Sequence, residues 1–292
     1  MKLFKTTLLM ILLSAAVHAQ TGKVLEHQVL KSKTLAKDVH YTIYLPPDYD
    51  LATRRYPVVY LLHGYTDDDR AWVQFGEVNR YADKAINDGE IPPMIIITPD
   101  AGVSWYVNNF DGASKFEDFF TQEFIPFIDA TYKTKPSREY RGVSGLSMGG
   151  YGSLLFSLKH PDMFSACAAL SSGVFTDEEF VAMPDSNYDN VFKNIFGKTG
   201  LKGKERLTDA WYQNSILSLM EKKPLDDIKK VRWYLDCGDD DFLYKGNSTL
   251  HIQLRDRGIP HEFRIRDGEH NWTYWRTGIT DALKFIGESF RR

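Results

Sequence analysis

Cysteine is scarce: Cys167 and Cys237 are the only two among 292 residues. Two thiols cannot staple a chain of this size, which excludes a disulfide scaffold. Each sits in an apolar, strand-like run, FSACAALSS and VRWYLDCG. Neither has the company of a catalytic thiol, so both read as buried small residues, with a bridge between adjacent strands as the lesser alternative. Clusters of basic residues are also missing. The formal net charge is −3, from 36 Lys and Arg against 39 Asp and Glu. That balance argues against nucleic acid as a partner. There is no internal repeat and no low-complexity linker, so residues 20–292 read as a single domain. Beyond residue 19 no stretch is long and apolar enough to cross a bilayer.

The first nineteen residues differ from the rest. MKLFKTTLLMILLSAAVHA carries Lys2 and Lys5, then an apolar run, then small residues before Gln20. Val17 and Ala19 occupy the −3 and −1 positions of a signal-peptidase site. This is the pattern of an export signal over 1–19, too short to favour a membrane span. No cysteine follows it, so nothing suggests a lipid anchor. The expected mature protein is exported, periplasmic or secreted, without stable membrane insertion, and carries a net charge of about −5.

Short apolar runs alternate with helical patterns, which is the signature of a mostly parallel α/β sheet. Strands are expected at 24–29, 39–45, 57–62, 94–98, 140–144, 166–171, 231–236 and 262–266. The third and fourth are continuous apolar runs and read as central strands covered on both faces. The first two alternate more and read as an antiparallel edge. Helices are expected over 116–131, where Phe116, Phe119, Phe120, Phe124, Phe127 and Ile128 recur at helical spacing, and over 149–159, 247–257 and 273–290. The aromatic stripe reads as core packing. Residues 173–228 separate two strands by far more than an ordinary connection, and read as a lid-like insertion or binding wall.

Between the fifth strand and the next helix lies Gly145-Leu146-Ser147-Met148-Gly149. A chain of this length yields roughly 0.1 accidental G-x-S-x-G matches at average composition, so the motif needs support from elsewhere. Its setting supplies some. A strand before Ser147 and a helix after it give a sharp turn, with glycines where side chains have no room. A serine hydroxyl is a weak nucleophile and needs a base, and the base needs an orienting acid. The turn resembles that of the α/β-hydrolase arrangement, which implies that the acid follows the serine and the histidine comes last. His251 falls in a helix pattern and His261 opens a strand. His270, in RDGEHNWTYW just past the last strand, lies where a base can reach a neighbouring strand. The acid belongs after the strand 231–236, where Asp236, Asp239, Asp240 and Asp241 compete and spacing alone does not choose. The same acidic turn admits a calcium reading. Oxyanion donors are expected from the Met148 N–H and from Tyr65, after Leu61-Leu62-His63-Gly64, with Gly64 admitting close approach. His63 reads as a structural hydrogen-bonder.

Five segments together resemble the "putative esterase" branch of the α/β-hydrolases: YLPPDY (44–49), YLLHG (60–64), GLSMGGYGSL (145–154), CGDDDFL (237–243) and GEHNWTYW (268–275). They span almost the whole mature chain in order. The branch includes feruloyl and acetyl-xylan carbohydrate esterases, S-formylglutathione hydrolase and the mycolyltransferases. The resemblance implies an α/β-hydrolase fold, with a mostly parallel eight-stranded sheet and helices on both faces. It implies Asp241, the third residue after Gly238, as the acid beside Ser147 and His270, although the run of three aspartates keeps Asp240 in reserve. DAGVSWYVNNFDG (100–112) resembles the loop of exported carbohydrate esterases after the fourth strand, with Trp105 and Tyr106 as rings for a sugar or phenolic group, or else packed under the loop. Trp272 is expected to pack behind the base.

The expected function is an exported serine carboxylesterase acting on acylated plant polysaccharide or oligosaccharide, or on a small aryl or acyl ester, as a feruloyl or acetyl-xylan esterase. An S-formylglutathione hydrolase-like thioesterase and a sugar acyltransferase of the mycolyltransferase type are the alternatives. A non-catalytic binding protein on the same fold is a fourth. The chemistry calls for no metal and no organic cofactor.

Overall fold

The computed structural model describes residues 21–291, so the expected leader at 1–19 lies outside the described residues. Eight strands form one sheet: β1 (Lys23–Ser32), β2 (Lys37–Leu45), β3 (Val58–Leu62), β4 (Ile95–Pro99), β5 (Arg141–Leu146), β6 (Ala166–Leu170), β7 (Arg232–Gly238) and β8 (His261–Arg266). Their order is β1-β2-β4-β3-β5-β6-β7-β8. β2 is antiparallel to both neighbours, and the other pairings are parallel. All eight expected strands are present, and the antiparallel pair lies at one edge.

Strand composition explains the layering. Val58, Tyr60 and Leu62 of β3 point into one apolar cluster, and Val59 and Leu61 into another. Ile95 and Ile97 of β4 face the first, and Ile96 the second. Alternate side chains leave a strand on opposite faces, so a continuous apolar run requires cover on both. The helices Val78–Asn87 and Trp272–Ser289 cover one face. The segment 116–131, the helix Met148–Lys159 and the helix Tyr244–Asp256 cover the other.

The segment 116–131 is helical but not uniformly α. A wider π turn, Phe119–Phe124, joins Phe116–Asp118 to Ile125–Thr131. Pro126 lacks the N–H that an α turn would use, and the wider turn accommodates its ring. The turn also lets Phe119, Phe120 and Phe124 all face inward, fully buried.

The insertion at 173–228 is a packed wall of short helices. Phe180 stacks on Trp211 with ring centroids 3.8 Å apart, and Phe192 and Phe196 pack beside them. The buried Arg206 guanidinium donates to the carbonyls of Leu201 and Met183 and to Asp185. Tyr151 Oη donates to Asn214 O at 2.9 Å, tying the wall to the helix Met148–Lys159.

Cys167 and Cys237 are both free and buried. They lie on adjacent strands, but the β6–β7 register pairs Cys167 with Trp233, four residues from Cys237. Burial pushes the Cys167 thiol up to about 12. No helix among the described residues is long and apolar enough to cross a membrane.

Candidate active site

The chain leaves β3 for β4 on one side and returns to β5 on the other. Crevices form at the carboxyl ends of strands where the order reverses in this way. The turns after β3 and β5 meet there: a Cβ built on Gly64 would lie 3.8 Å from Ser147 Cβ. Ser147 is the single residue between β5 and the helix Met148–Lys159, with φ 54 and ψ −117. A non-glycine residue in this region carries strain of order 1–3 kcal/mol and must be held by its surroundings. Three backbone hydrogen bonds hold it: Ser147 N–H donates to Leu170 O at 2.9 Å, and Ser147 O accepts from Gly173 at 2.8 Å and Tyr151 at 3.0 Å. The flanking glycines are a steric requirement. A Cβ on Gly149 would meet Leu62 O at 2.3 Å, and one on Gly145 would meet Gly149 O at 2.5 Å.

His270 approaches from the loop between β8 and the helix Trp272–Ser289, whose N-terminus Asn271 caps by accepting from Tyr274 N. His270 Nε2 lies 2.9 Å from Ser147 Oγ, and Nδ1 lies 2.8 Å from Asp241 Oδ2. An ionised carboxylate only accepts hydrogen bonds, so Nδ1 carries the proton and Nε2 is left to accept from the serine hydroxyl. Asp241 is 1% exposed. Burial favours its neutral form, but the hydrogen bond from His270 and another from Leu243 N–H outweigh it and hold the carboxyl below its ordinary value.

The competing groups are engaged elsewhere. Asp236 is fully buried against Arg266, Tyr234 and Tyr274. Asp239 accepts from Gly268 N–H, and Asp240 is exposed. Asp239, Asp240 and Asp267 bring carboxylate oxygens within 4.8 Å of one another on this exposed turn. His251 and His261 hydrogen-bond to each other at 2.7 Å.

The two N–H groups expected as oxyanion donors belong to the residues after Ser147 and after Gly64, on the turns that follow β5 and β3. The Met148 N–H opens a twelve-residue helix, where helix N–H groups lack intrahelical partners and the dipole favours negative charge. The Tyr65 N–H follows Gly64 on a loop fixed from beneath. His63 Nε2 accepts from Ala101 N–H at 2.9 Å, so its Nδ1 donates to Gly64 O at 2.8 Å. Further along, the buried Asp69 accepts from Thr42 Oγ1 at 2.7 Å and lies 3.0 Å from His27 Nδ1. A pair of N–H groups beside a nucleophile and its base can stabilise the oxyanion of an acyl-transfer intermediate.

The aromatic loop differs from expectation. Tyr106 is fully buried, its hydroxyl donating to His63 O at 2.9 Å and its ring packed against Phe116 and Phe156. It supports the loop after β3 and has no surface to offer a ligand, which corrects its assignment as a substrate-binding ring. Trp105 is 5% exposed and lines the wall between Tyr65, Tyr151, Phe175 and Phe192. Its indole N–H is buried without a protein partner. The ring edge-on to the base is Trp275, at 4.8 Å, whereas Trp272 packs on Trp72, Phe75 and Trp275. Leu243 anchors the acid turn at 3% exposure, but Phe242 stands out at 67% with its ring 4.6 Å from His270. Sequence reasoning singled out neither Trp275 nor Phe242 as a ring packed on the base. The i, i+3 spacing of Trp272 and Trp275 on a helix was the available signal for the first.

The chain is similar to known esterases in sequence and fold. The family model described as "Putative esterase" matches residues 32–286. An acetyl esterase of Caldicellulosiruptor saccharolyticus is 26% identical over 271 residues, 88% of this chain and 96% of that protein. An endo-1,4-beta-xylanase/feruloyl esterase of Xylanibacter ruminicola is 33% identical over 155 residues, 51% of this chain but 21% of that protein. Among solved structures, a ferulic acid esterase superposes with a TM-score of 0.80 at 32% identity, covering 93% of this chain and 100% of that one.

Proposed function

The chain belongs to the "Putative esterase" family and is a carboxylesterase, and on that premise we propose that it is an exported serine enzyme that removes feruloyl or acetyl groups from plant cell-wall polysaccharide or its oligosaccharides. The observation that carries the catalytic part is the unbroken line from Asp241 through His270 to Ser147, at 2.8 and 2.9 Å. Ser147 Oγ attacks the ester carbonyl while His270 Nε2 takes its proton. Asp241 keeps the Nδ1 proton in place and stabilises the imidazolium that forms. The carbonyl oxygen becomes an oxyanion held by the Tyr65 and Met148 N–H groups. As the intermediate collapses, the C–O bond to the alcohol breaks and His270 gives its proton to the departing oxygen, leaving an acyl ester on Ser147. Water, deprotonated by His270, then attacks that ester; the acyl bond to Ser147 Oγ breaks, His270 returns the proton to Oγ, and the acid is freed. Trp105 forms the acyl-side wall. The export-signal pattern read at 1–19 supports the extracytoplasmic setting, and the names of the related proteins support the polysaccharide substrate.

The test is a substrate panel of 4-nitrophenyl acetate, methyl ferulate, acetylated xylan and S-formylglutathione, with Ser147→Ala as control. Loss of the nucleophile is expected to lower kcat by about 10⁴- to 10⁶-fold, with an unchanged melting curve. A folded Ser147→Ala protein that turns over 4-nitrophenyl acetate at the parental rate would refute the assignment. Preference for S-formylglutathione would replace the polysaccharide ester with a thioester.

A further inference from the structure

Beside the base the surface is aromatic, although nothing in the hydrolytic steps requires it. Phe242 is 67% exposed and Phe75 is 52% exposed. A chain of ring contacts joins them: Phe242 to His270 at 4.6 Å, His270 to Trp275 at 4.8 Å, Trp275 to Trp272 at 5.4 Å and Trp272 to Phe75 at 5.8 Å. Trp275 is buried, Trp272 is half-buried, and the two phenylalanines are open to solvent. Leaving a phenyl ring in water forgoes about 1.5–3 kcal/mol of burial, and contiguous exposed apolar surface marks a binding surface.

The exposure is built into the backbone. Phe242 lies inside a turn fixed on both sides: Asp241 N–H donates to Gly238 O, Leu243 N–H to Asp241 Oδ1, and Tyr244 N–H to Asp241 O. The neighbouring Leu243 is tucked in while Phe242 is held out. Phe75 is fixed in the same way, its N–H donating to Ala71 O at 2.8 Å and its carbonyl accepting from Arg276 Nε at 3.1 Å.

The reaction assigns the two sides of the crevice. The carbonyl oxygen must face the Tyr65 and Met148 N–H groups, and the departing oxygen must lie within reach of His270 Nε2. On this reading the alcohol leaves past the base, whose ring neighbours are Phe242 and Trp275, and the acyl group takes the opposite side, where Trp105 packs on Tyr65. Resting on the reading of this site as a serine esterase for acylated saccharides, we infer that Phe242, Trp272 and Phe75 form the platform for the alcohol, a pentose or hexose ring. The C–H face of such a ring is apolar and matches an aromatic face, while its hydroxyls remain in water. The platform sets which alcohol is accepted and leaves the choice of acid to the other wall.

The experiment holds the acid constant and varies the alcohol. kcat/KM is measured for methyl ferulate and for ferulate esterified to an arabinose-bearing xylo-oligosaccharide, using the parental protein, Phe242→Ala, Phe75→Ala and Phe242→Tyr. The ratio of saccharide ester to methyl ester is expected to fall about threefold to tenfold in each alanine variant, mainly through KM, and to be retained in Phe242→Tyr. An unmoved ratio in both alanine variants overturns the platform while leaving the esterase reading intact. So does a Phe242→Ala effect that appears equally in both esters through kcat, because that is the signature of a prop for His270. With methyl acetate as a third ester, an alanine effect equal for both alcohols but different for ferulate and acetate would place the acyl group on these rings and also overturn it. Hydrolysis of neither ester, nor of their acetyl counterparts, by the parental protein would overturn the esterase reading and the platform together.

Discussion

Two buried carboxylates, five residues apart at the end of β7, have opposite surroundings. Asp236 is fully buried and satisfied on both oxygens: Arg266 Nε donates to Oδ2 at 3.0 Å, Arg266 Nη2 to Oδ1 at 3.2 Å, Tyr234 Oη to Oδ2 at 3.1 Å, and Tyr274 to Oδ1. Asp241 is as deeply buried, but its partners are a backbone N–H and an imidazole whose other nitrogen faces Ser147. Residue type and burial are shared, so the partners decide the role. Asp236 locks β7 to β8 and the closing helix with a fixed cation. Asp241 holds a ring that must change its proton during the proposed reaction.

Substitutions that separate the two roles test this contrast. Asp241→Asn should leave folding nearly intact and lower kcat about 10³- to 10⁴-fold, because an amide no longer fixes the imidazole tautomer. Steady-state kinetics with a thermal melt checks both halves, and comparable losses in activity and stability would erase the contrast. Asp236→Asn should do the reverse. Removing the charge leaves Arg266 without its ion pair, and because Arg266 is 28% exposed the expected cost is about 2–3 kcal/mol. Urea denaturation measures it, with kcat of the folded fraction within about threefold of the parent.

A third carboxylate marks the small end of the scale. Glu123 accepts from Ser32 Oγ and from the N–H groups of Lys33 and Thr34, at the turn between β1 and β2. Partial burial raises its pKa, but those hydrogen bonds win and hold it down to about 2. A folded-state pKa below the unfolded value means stabilisation that is complete above about 4.5 and is lost as the pH falls toward 2. Glu123→Gln should cost about 1 kcal/mol at pH 7 after allowance for solvent screening. The gap from the parent should narrow as denaturation is repeated at pH 4 and pH 3, and a gap that widens on acidification would reverse the sign.

Much of the fold was legible because its determinants are local. Continuous apolar runs such as VVYLL and IIITP can only be central strands, and the glycines around Ser147 are dictated by carbonyls pressed against their Cα atoms. Ser147 and His270 could be singled out by their place relative to strands. The acid could not, because Asp236, Asp239, Asp240 and Asp241 are equivalent on spacing, and only resemblance preferred one. Tyr106 was misread for a related reason: an aromatic residue in a loop looks the same whether it faces a ligand or props up the neighbouring turn.

The sequence by itself determined the strands, their enclosure on two faces, the sharp turn at Ser147 and the late loop that carries His270. These depend on side-chain periodicity, glycine and chain order. Tertiary structure decided which aspartate meets the imidazole, that Tyr106 is beneath the surface, that Trp275 packs on the base, and that Phe242 is held out while Leu243 is drawn in. These depend on the packing of β7 beside β8 and on the path of each turn. Contacts between residues far apart in the chain settle the first three, and they also place the short-range-bonded turn that holds Phe242 out.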